Sequence, residues 1–198
     1  MRRVPVFFAT TEGHTRRIAQ AIASTLRERG LDSEAVDLDA QPDSPDWLQI
    51  AAAVVGGSLH GGRHQCAVET FVAREARHLA ARPAAFFSVS LSAASGNAEK
   101  AAAARKIATS FVEKAGWHPQ RLTCFAGKLA YSQYGFFKRW IMRRIAKTEG
   151  QPTDTSRDYD YTNWSAVRDF ALAIAADLQP RTIDAASGSR SPRPATRR

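Results

Sequence analysis

Cysteine is scarce: Cys66 and Cys124 are the only two in 198 residues, and they make neither a disulfide framework nor a metal-type spacing. Two reduced thiols in a cytoplasmic protein are expected. Long apolar runs are missing as well, since no stretch approaches the roughly 18 residues that a membrane span needs. The apolar run at residues 4–9 follows Met1-Arg2-Arg3 directly, is shorter than the core of a signal peptide and has no cleavage site after it. The chain contains neither Gly-x-Gly-x-x-Gly nor Gly-Lys-Ser/Thr, which argues against a dinucleotide fingerprint and a nucleotide hydrolase. Paired carboxylates and Cys/His clusters are absent too. No metal site is expected, and no general acid or base stands out, so catalytic residues stay unassigned.

What is present describes a globular domain. Hydrophobic residues make up 44% and charged residues 24% of the chain, which excludes wholesale disorder. The length suits one domain whose core needs no staple. The formal net charge of +9 is unevenly placed. Residues 128–150 hold six bases and one acid, and residues 181–198 hold five bases and one acid, while the rest of the chain is neutral. A neutral body is poor support for a nucleic-acid groove, and no nucleic-acid partner is expected. Residues 181–198 are rich in Ser, Pro and Arg without apolar periodicity and read as a disordered basic tail, beyond a domain spanning residues 1–180.

Periodicity places the elements. Continuous apolar runs at residues 4–9, 50–55, 84–91 and 122–126 read as buried strands, and the weak alternation at 33–38 reads as a strand nearer the sheet edge. Helical spacing covers residues 14–29, 66–81, 98–115 and 164–178, with Gly30 and Gly116 at the ends of two of them. Alternating strands and helices predict an α/β fold with a parallel sheet covered on both faces. Five such strands suggest the doubly wound, flavodoxin-like order 2-1-3-4-5. An insertion, about residues 129–160, separates strand five from the last helix; at roughly 30 residues it far exceeds the usual 2–6-residue connection.

Strand one runs into Thr10, Thr11, Glu12, Gly13, His14 and Thr15 and then straight into a helix. A hydroxyl-rich turn at a helix N-terminus offers unpaired N–H groups and the positive end of the helix dipole to a phosphate, and Gly13 lets the backbone come close. Thr-Thr-Glu-Gly-His-Thr resembles the phosphate loop of the flavodoxins, which holds FMN. That resemblance implies FMN as cofactor and two further loops around the isoalloxazine: Ser58, Leu59, His60 and Gly61 after strand three, and Ser90, Leu91 and Ser92 after strand four. The Trp and Tyr that many flavodoxins stack on the ring are absent from both loops. As surface-loop residues, His60 and His64 read as neutral hydrogen-bond formers.

In the insertion, Phe137, Trp140, Ile141 and Ile145 share one helical face, with Lys138, Arg139, Arg143 and Lys147 elsewhere and Arg144 inside the apolar arc. A basic amphipathic helix of this kind reads as binding a membrane surface or a partner, or as docking on its own domain. The run through Tyr134, Phe136-Phe137, Lys138-Arg139, Ile141-Met142, Thr153-Asp154-Thr155 and Tyr161-Thr162-x-Trp164 resembles the bacterial menaquinone-dependent protoporphyrinogen IX oxidases. The phosphate loop, residues 85–91 and Trp117-x-Pro119 match the same family, over roughly residues 3–178. The resemblance implies oxidation of protoporphyrinogen IX, with FMN as carrier and menaquinone or another quinone as acceptor, in haem biosynthesis. Phe137, Arg139, Trp140, Arg143 and Arg144 are then candidates for pairing with substrate propionates or with anionic lipid on the cytoplasmic face of the membrane. A flavodoxin-type electron carrier and a general FMN-dependent quinone reductase are the alternatives. Neither the quinone nor the oligomeric state is legible.

Overall fold

A computed structural model of the chain describes residues 3–40, 43–94, 98–129 and 157–179. The elements run β1 (Val6–Ala9), α1 (His14–Glu28), β2 (Ala35–Asp37), β3 (Ala53–His60), β4 (Arg63–His64), α2 (Cys66–Ala80), β5 (Ala84–Ser90), a 3₁₀ turn (Ser92–Ala94), α3 (Ala98–Lys114), β6 (Arg121–Ala126), β7 (Lys128–Leu129), β8 (Tyr159–Asp160) and α4 (Trp164–Leu178). The main sheet has the order β2-β1-β3-β5-β6, and every pair along that path is parallel. With the two-residue β4 set aside, this is the expected 2-1-3-4-5 order of a doubly wound flavodoxin-like fold.

The strands are apolar on both faces because each face is covered. On β1, Val6 and Phe8 point into the layer shared with α1 and α4, where Ile18, Ile22, Leu26 and Ala171 are buried. Phe7 and Ala9 alternate into the opposite layer, with Val68, Phe71 and Val72 of α2 and Ala108 and Val112 of α3. This alternation turns a continuous apolar run into two cores on either side of one sheet. The five parallel strands end at a common edge, where chains switch direction into helices and a doubly wound sheet binds its ligands.

One expected boundary is wrong. Gly56-Gly57 does not end the third strand, which continues to His60 and folds back as an antiparallel hairpin, pairing Leu59 with His64 and His60 with Arg63. Gly61 and Gly62 take the positive φ values of 56° and 81° that this tight turn requires. Gly56 serves packing instead: a Cβ there would run into the Phe87 ring. His64 is therefore no surface-loop residue. It is buried, with its ring centroid 4.7 Å from that of Phe111 and 5.4 Å from that of Phe86.

Phe137, Arg139, Trp140, Arg143 and Arg144 and the tail from residue 181 lie outside the described residues. The two ends of the insertion are described: β7 and β8 pair antiparallel, Lys128 with Asp160 and Leu129 with Tyr159. Among the described residues, no helix is long and apolar enough to cross a membrane.

Candidate functional site

The junction of β1 and α1 is built by Gly13 and Thr10. Gly13 caps α1 in the left-handed region at φ 80°, and its N–H donates to Thr10 Oγ1 at 3.0 Å. No side chain caps the helix, and no acidic residue occupies its first turn. The first-turn N–H groups and the positive end of the dipole are thus left uncompensated by charge, which favours an anion.

Above this junction lies a cavity of about 560 Å³, within the range of small-molecule and cofactor sites. Thr10, Glu12, His14 and Thr15 form one end. Ser58, Leu59, His60 and Gly61, together with Gly62, form a second wall, and Ser90, Leu91 and Ser92 with Val89 a third. Three chain segments that are distant in sequence therefore meet around one cavity. Two loop residues differ. Neither Thr11 nor Gly13 lines the cavity: the Thr11 hydroxyl accepts instead from Gln65 Nε2 at 3.4 Å, and that same amide nitrogen donates to Ser58 Oγ. Gln65 thereby ties the phosphate-loop side of the cavity to the β3 side.

The sequence did not single out the fourth wall. Lys100, Ala103, Ala104 and Ile107 of α3 close it, with Gly127 and Lys128 after β6. Their helical spacing was visible, but the face they present is decided by how α3 packs on the sheet. The small side chains of Ala103 and Ala104 leave width for a flat ligand. No Phe, Trp or Tyr lines the cavity among the described residues.

His14 joins the cradle to the far end of the insertion. Its Nε2 lies 2.6 Å from Thr162 Oγ1, and the Thr162 hydroxyl is 2.9 Å from Ala126 O. The single hydroxyl hydrogen goes to that carbonyl, so the ring donates from Nε2, which leaves Nδ1 as a bare acceptor. Nδ1 is buried without a hydrogen-bond partner. Burial holds the imidazole below its ordinary pKa; Asp160, 3.7 Å away, opposes this, while Arg17 and Lys128 reinforce it. Burial alone would raise the Asp160 carboxyl, but the Thr162 N–H and the charge of Arg17 bring it below the usual range. His64 is neutral for a similar reason, pushed down to about 4 by burial despite Glu69, with Nε2 3.0 Å from Ser88 Oγ.

The flavodoxin domain family matches residues 5–156 of this chain. The protoporphyrinogen IX dehydrogenase [quinone] of Escherichia coli K12 is 32% identical over 170 residues, covering 86% of this chain and 93% of that protein. The protein of the same name from Leishmania major is 34% identical over 173 residues, covering 86% of this chain and 74% of that one. The chain belongs to the flavodoxin-domain protoporphyrinogen IX dehydrogenase family. Oxidised flavodoxin 1 from Bacillus cereus superposes with a TM-score of 0.57 at 16% identity, over 89% of this chain and 99% of that one. Flavodoxin 2 of the same organism gives 0.56 at 17% identity, and at this distance both likenesses speak to the fold.

A flavodoxin domain indicates a flavin cofactor, and the residues lining the cavity fit that group. An uncapped helix N-terminus with Thr10 and Thr15 suits a phosphate, and Leu59, Leu91, Ala103 and Ile107 suit a flat heteroaromatic ring. Both cysteines are free, and neither lines the cavity.

Proposed function

We propose that this protein oxidises protoporphyrinogen IX to protoporphyrin IX with FMN as its cofactor and a quinone, menaquinone, as electron acceptor, in haem biosynthesis. One observation carries the choice of FMN: the cavity has the uncapped N-terminus of α1 at one end, suited to a terminal phosphate, and the chain has no glycine fingerprint for a pyrophosphate. When bound, the flavin supplies the acceptor for two electrons at a time, so the six-electron oxidation takes three rounds. The chain's own residues orient and exclude. Thr10, Thr15 and the first-turn N–H groups hold the phosphate end. Ser58 to Gly61 and Ser90 to Ser92 form the two sides of the ring slot. His14, neutral and buried, adds no charge at the cradle, while Lys100 and Lys128 set cations on its rim. The basic segment around Phe137, Arg139, Trp140, Arg143 and Arg144 brings the protein to an anionic membrane surface where the quinone is dissolved. Reversing Arg139, Arg143 and Arg144 to Glu then lowers co-sedimentation with anionic vesicles.

The deciding experiment has two stages. The purified protein shows the absorbance of an oxidised flavin, and it binds FMN more tightly than riboflavin. A Thr10→Val/Thr15→Val variant loses that difference, with FMN affinity falling roughly ten- to a hundredfold, as expected for lost hydrogen bonds to a charged group. Protoporphyrin fluorescence then grows when protoporphyrinogen IX and menadione are supplied under exclusion of oxygen. Flavin binding without fluorescence growth identifies an electron carrier instead.

A further inference from the structure

A second cleft, of about 660 Å³, runs between α2 and α3 beside the β3–β4 hairpin. It shares Gly62 and Ile107 with the flavin cavity, so the two openings meet at one wall. Ala73 of α2 has too little bulk to close the gap, and half-buried Phe111 and Ile107 of α3 give an apolar bed with an aromatic face. His64 lies behind Phe111 and is neutral, so the bed is uncharged.

Its rim is basic. Arg63, Lys106 and Lys114 are exposed and line the cleft, against one acid, Glu69. Glu69 is already engaged by Arg63, at 3.1 Å. Lys106 and Lys114 have no ion pair or hydrogen bond among the described residues. Eight residues apart on one helix, they stand about 12 Å apart along its axis. An apolar bed with two free cations along one side, opening onto the flavin cavity, suits an apolar macrocycle carrying carboxylates. A quinone carries no charge for these lysines to meet. The porphyrinogen, with two propionates on neighbouring pyrrole rings, does.

Resting on the function proposed above, we infer that the α2–α3 cleft is the substrate's carboxylate anchor. Lys106 and Lys114 pair with the propionates, and Phe111 and Ile107 support the macrocycle where the cleft meets the flavin cavity. The cleft discriminates porphyrinogen from quinone by charge.

The test uses the full-length, flavin-loaded protein. Lys106→Glu/Lys114→Glu raises the KM for protoporphyrinogen IX about tenfold, as two partly exposed charge pairs are lost and reversed. The same variant weakens binding of protoporphyrin IX, read by its fluorescence, but not of its dimethyl ester, whose carboxylates are masked. Unchanged flavin content reports an intact fold. Arg29→Glu, at the far end of α1, leaves KM and both affinities at wild-type values. If the double variant matches wild type in KM and in discrimination between acid and ester, while wild type turns over protoporphyrinogen, the cleft assignment is overturned and the proposed function stands. If the flavin-loaded wild type does not oxidise protoporphyrinogen at all, the functional reading fails, and the anchor fails with it.

Discussion

Among the described residues, the buried polar groups around Glu75 and around His14 are finished to different degrees. Around Glu75 on α2, every demand of the carboxylate is met. The carboxylate accepts from Ser44 Oγ, Trp47 Nε1 and Arg74 Nε, each at 2.7 Å. Burial would raise its pKa, but these donors and the charge of Arg74 bring it below the usual carboxylate value. Arg82 completes the locality by donating to Trp47 O at 2.9 Å, its guanidinium 4.6 Å from the centroid of the Trp47 ring. Around His14 the network stops short: the ring donates once, and Nδ1 is buried without a partner. A carboxylate supplied with three donors fixes a scaffold, here residues 44–50 onto α2, even though Arg82 Nε beside it is buried without a hydrogen-bond partner. An incomplete one beside a cavity is retained at a cost of order 1–3 kcal/mol for each buried unsatisfied group. Both are buried polar sites, but of the two only the one around His14 lines the cavity above the β1–α1 junction.

The sharpest way to break this contrast is Glu75→Ala. It strands the Trp47 N–H and the Ser44 hydroxyl and removes one partner of Arg74, so a loss of about 3 kcal/mol is expected. For a domain of this size that lowers Tm by roughly 6–12 °C in a thermal melt. Flavin affinity stays unchanged, because Glu75 does not line the cavity. A loss of flavin affinity equal to the loss of stability would erase the distinction between scaffold and site.

His64 is an intermediate case, bonded once to Ser88 and otherwise walled by Phe86 and Phe111. Its folded-state pKa of about 4 lies below the unfolded value of 6.5. The unfolded chain therefore binds the extra proton first as pH falls. The contribution of His64 to stability is complete above about pH 6.5 and drains away between there and about pH 4, a change of order 3 kcal/mol. Urea midpoints at pH 7.5 and 4.5 measure it. His64→Gln should show a distinctly shallower fall than wild type over that interval; equal falls would mean the imidazole is not held neutral by its surroundings.

How far the sequence exposes this contrast depends on the range of the forces involved. The strand order, the β1–α1 turn and its threonines follow from local patterns: apolar runs, helical spacing and Gly13 before a helix. Glu75 left a local signal as well, since it falls on the buried stripe of Val68, Phe71, Val72 and Leu79 at helical spacing. A lone acid on such a stripe needs partners. The hairpin at Gly61-Gly62 was hidden because Gly57 to Gly62 has a loop's composition, and Gly56 answers to the Phe87 ring rather than to a turn. His64 looked like a surface residue because Phe111, 47 positions later, is what buries it. The α3 wall of the cavity and the second cleft exist only once two helices lie side by side on the sheet. The basic segment at 128–150, prominent in the sequence, falls largely outside the described residues.

Thr162→Val probes the incomplete cluster with the smallest change. It removes the group that receives the His14 N–H and that donates to Ala126 O, while keeping the volume. A stability loss of about 1–2 kcal/mol is expected, smaller than for Glu75→Ala, because Thr162 joins two groups where Glu75 joins three. Flavin affinity should fall several-fold, because His14 is the first residue of α1 and this hydroxyl is the hydrogen-bond partner its ring has among the described residues. Thr162→Ser, which keeps the oxygen, should restore most of both. FMN titration beside urea unfolding separates the effects. If stability falls while FMN affinity holds, the His14–Thr162 bond is scaffold of the Glu75 kind. If affinity falls further than stability, the bond belongs to the site, and the far end of the insertion is coupled through Thr162 to the occupancy of the flavin cavity.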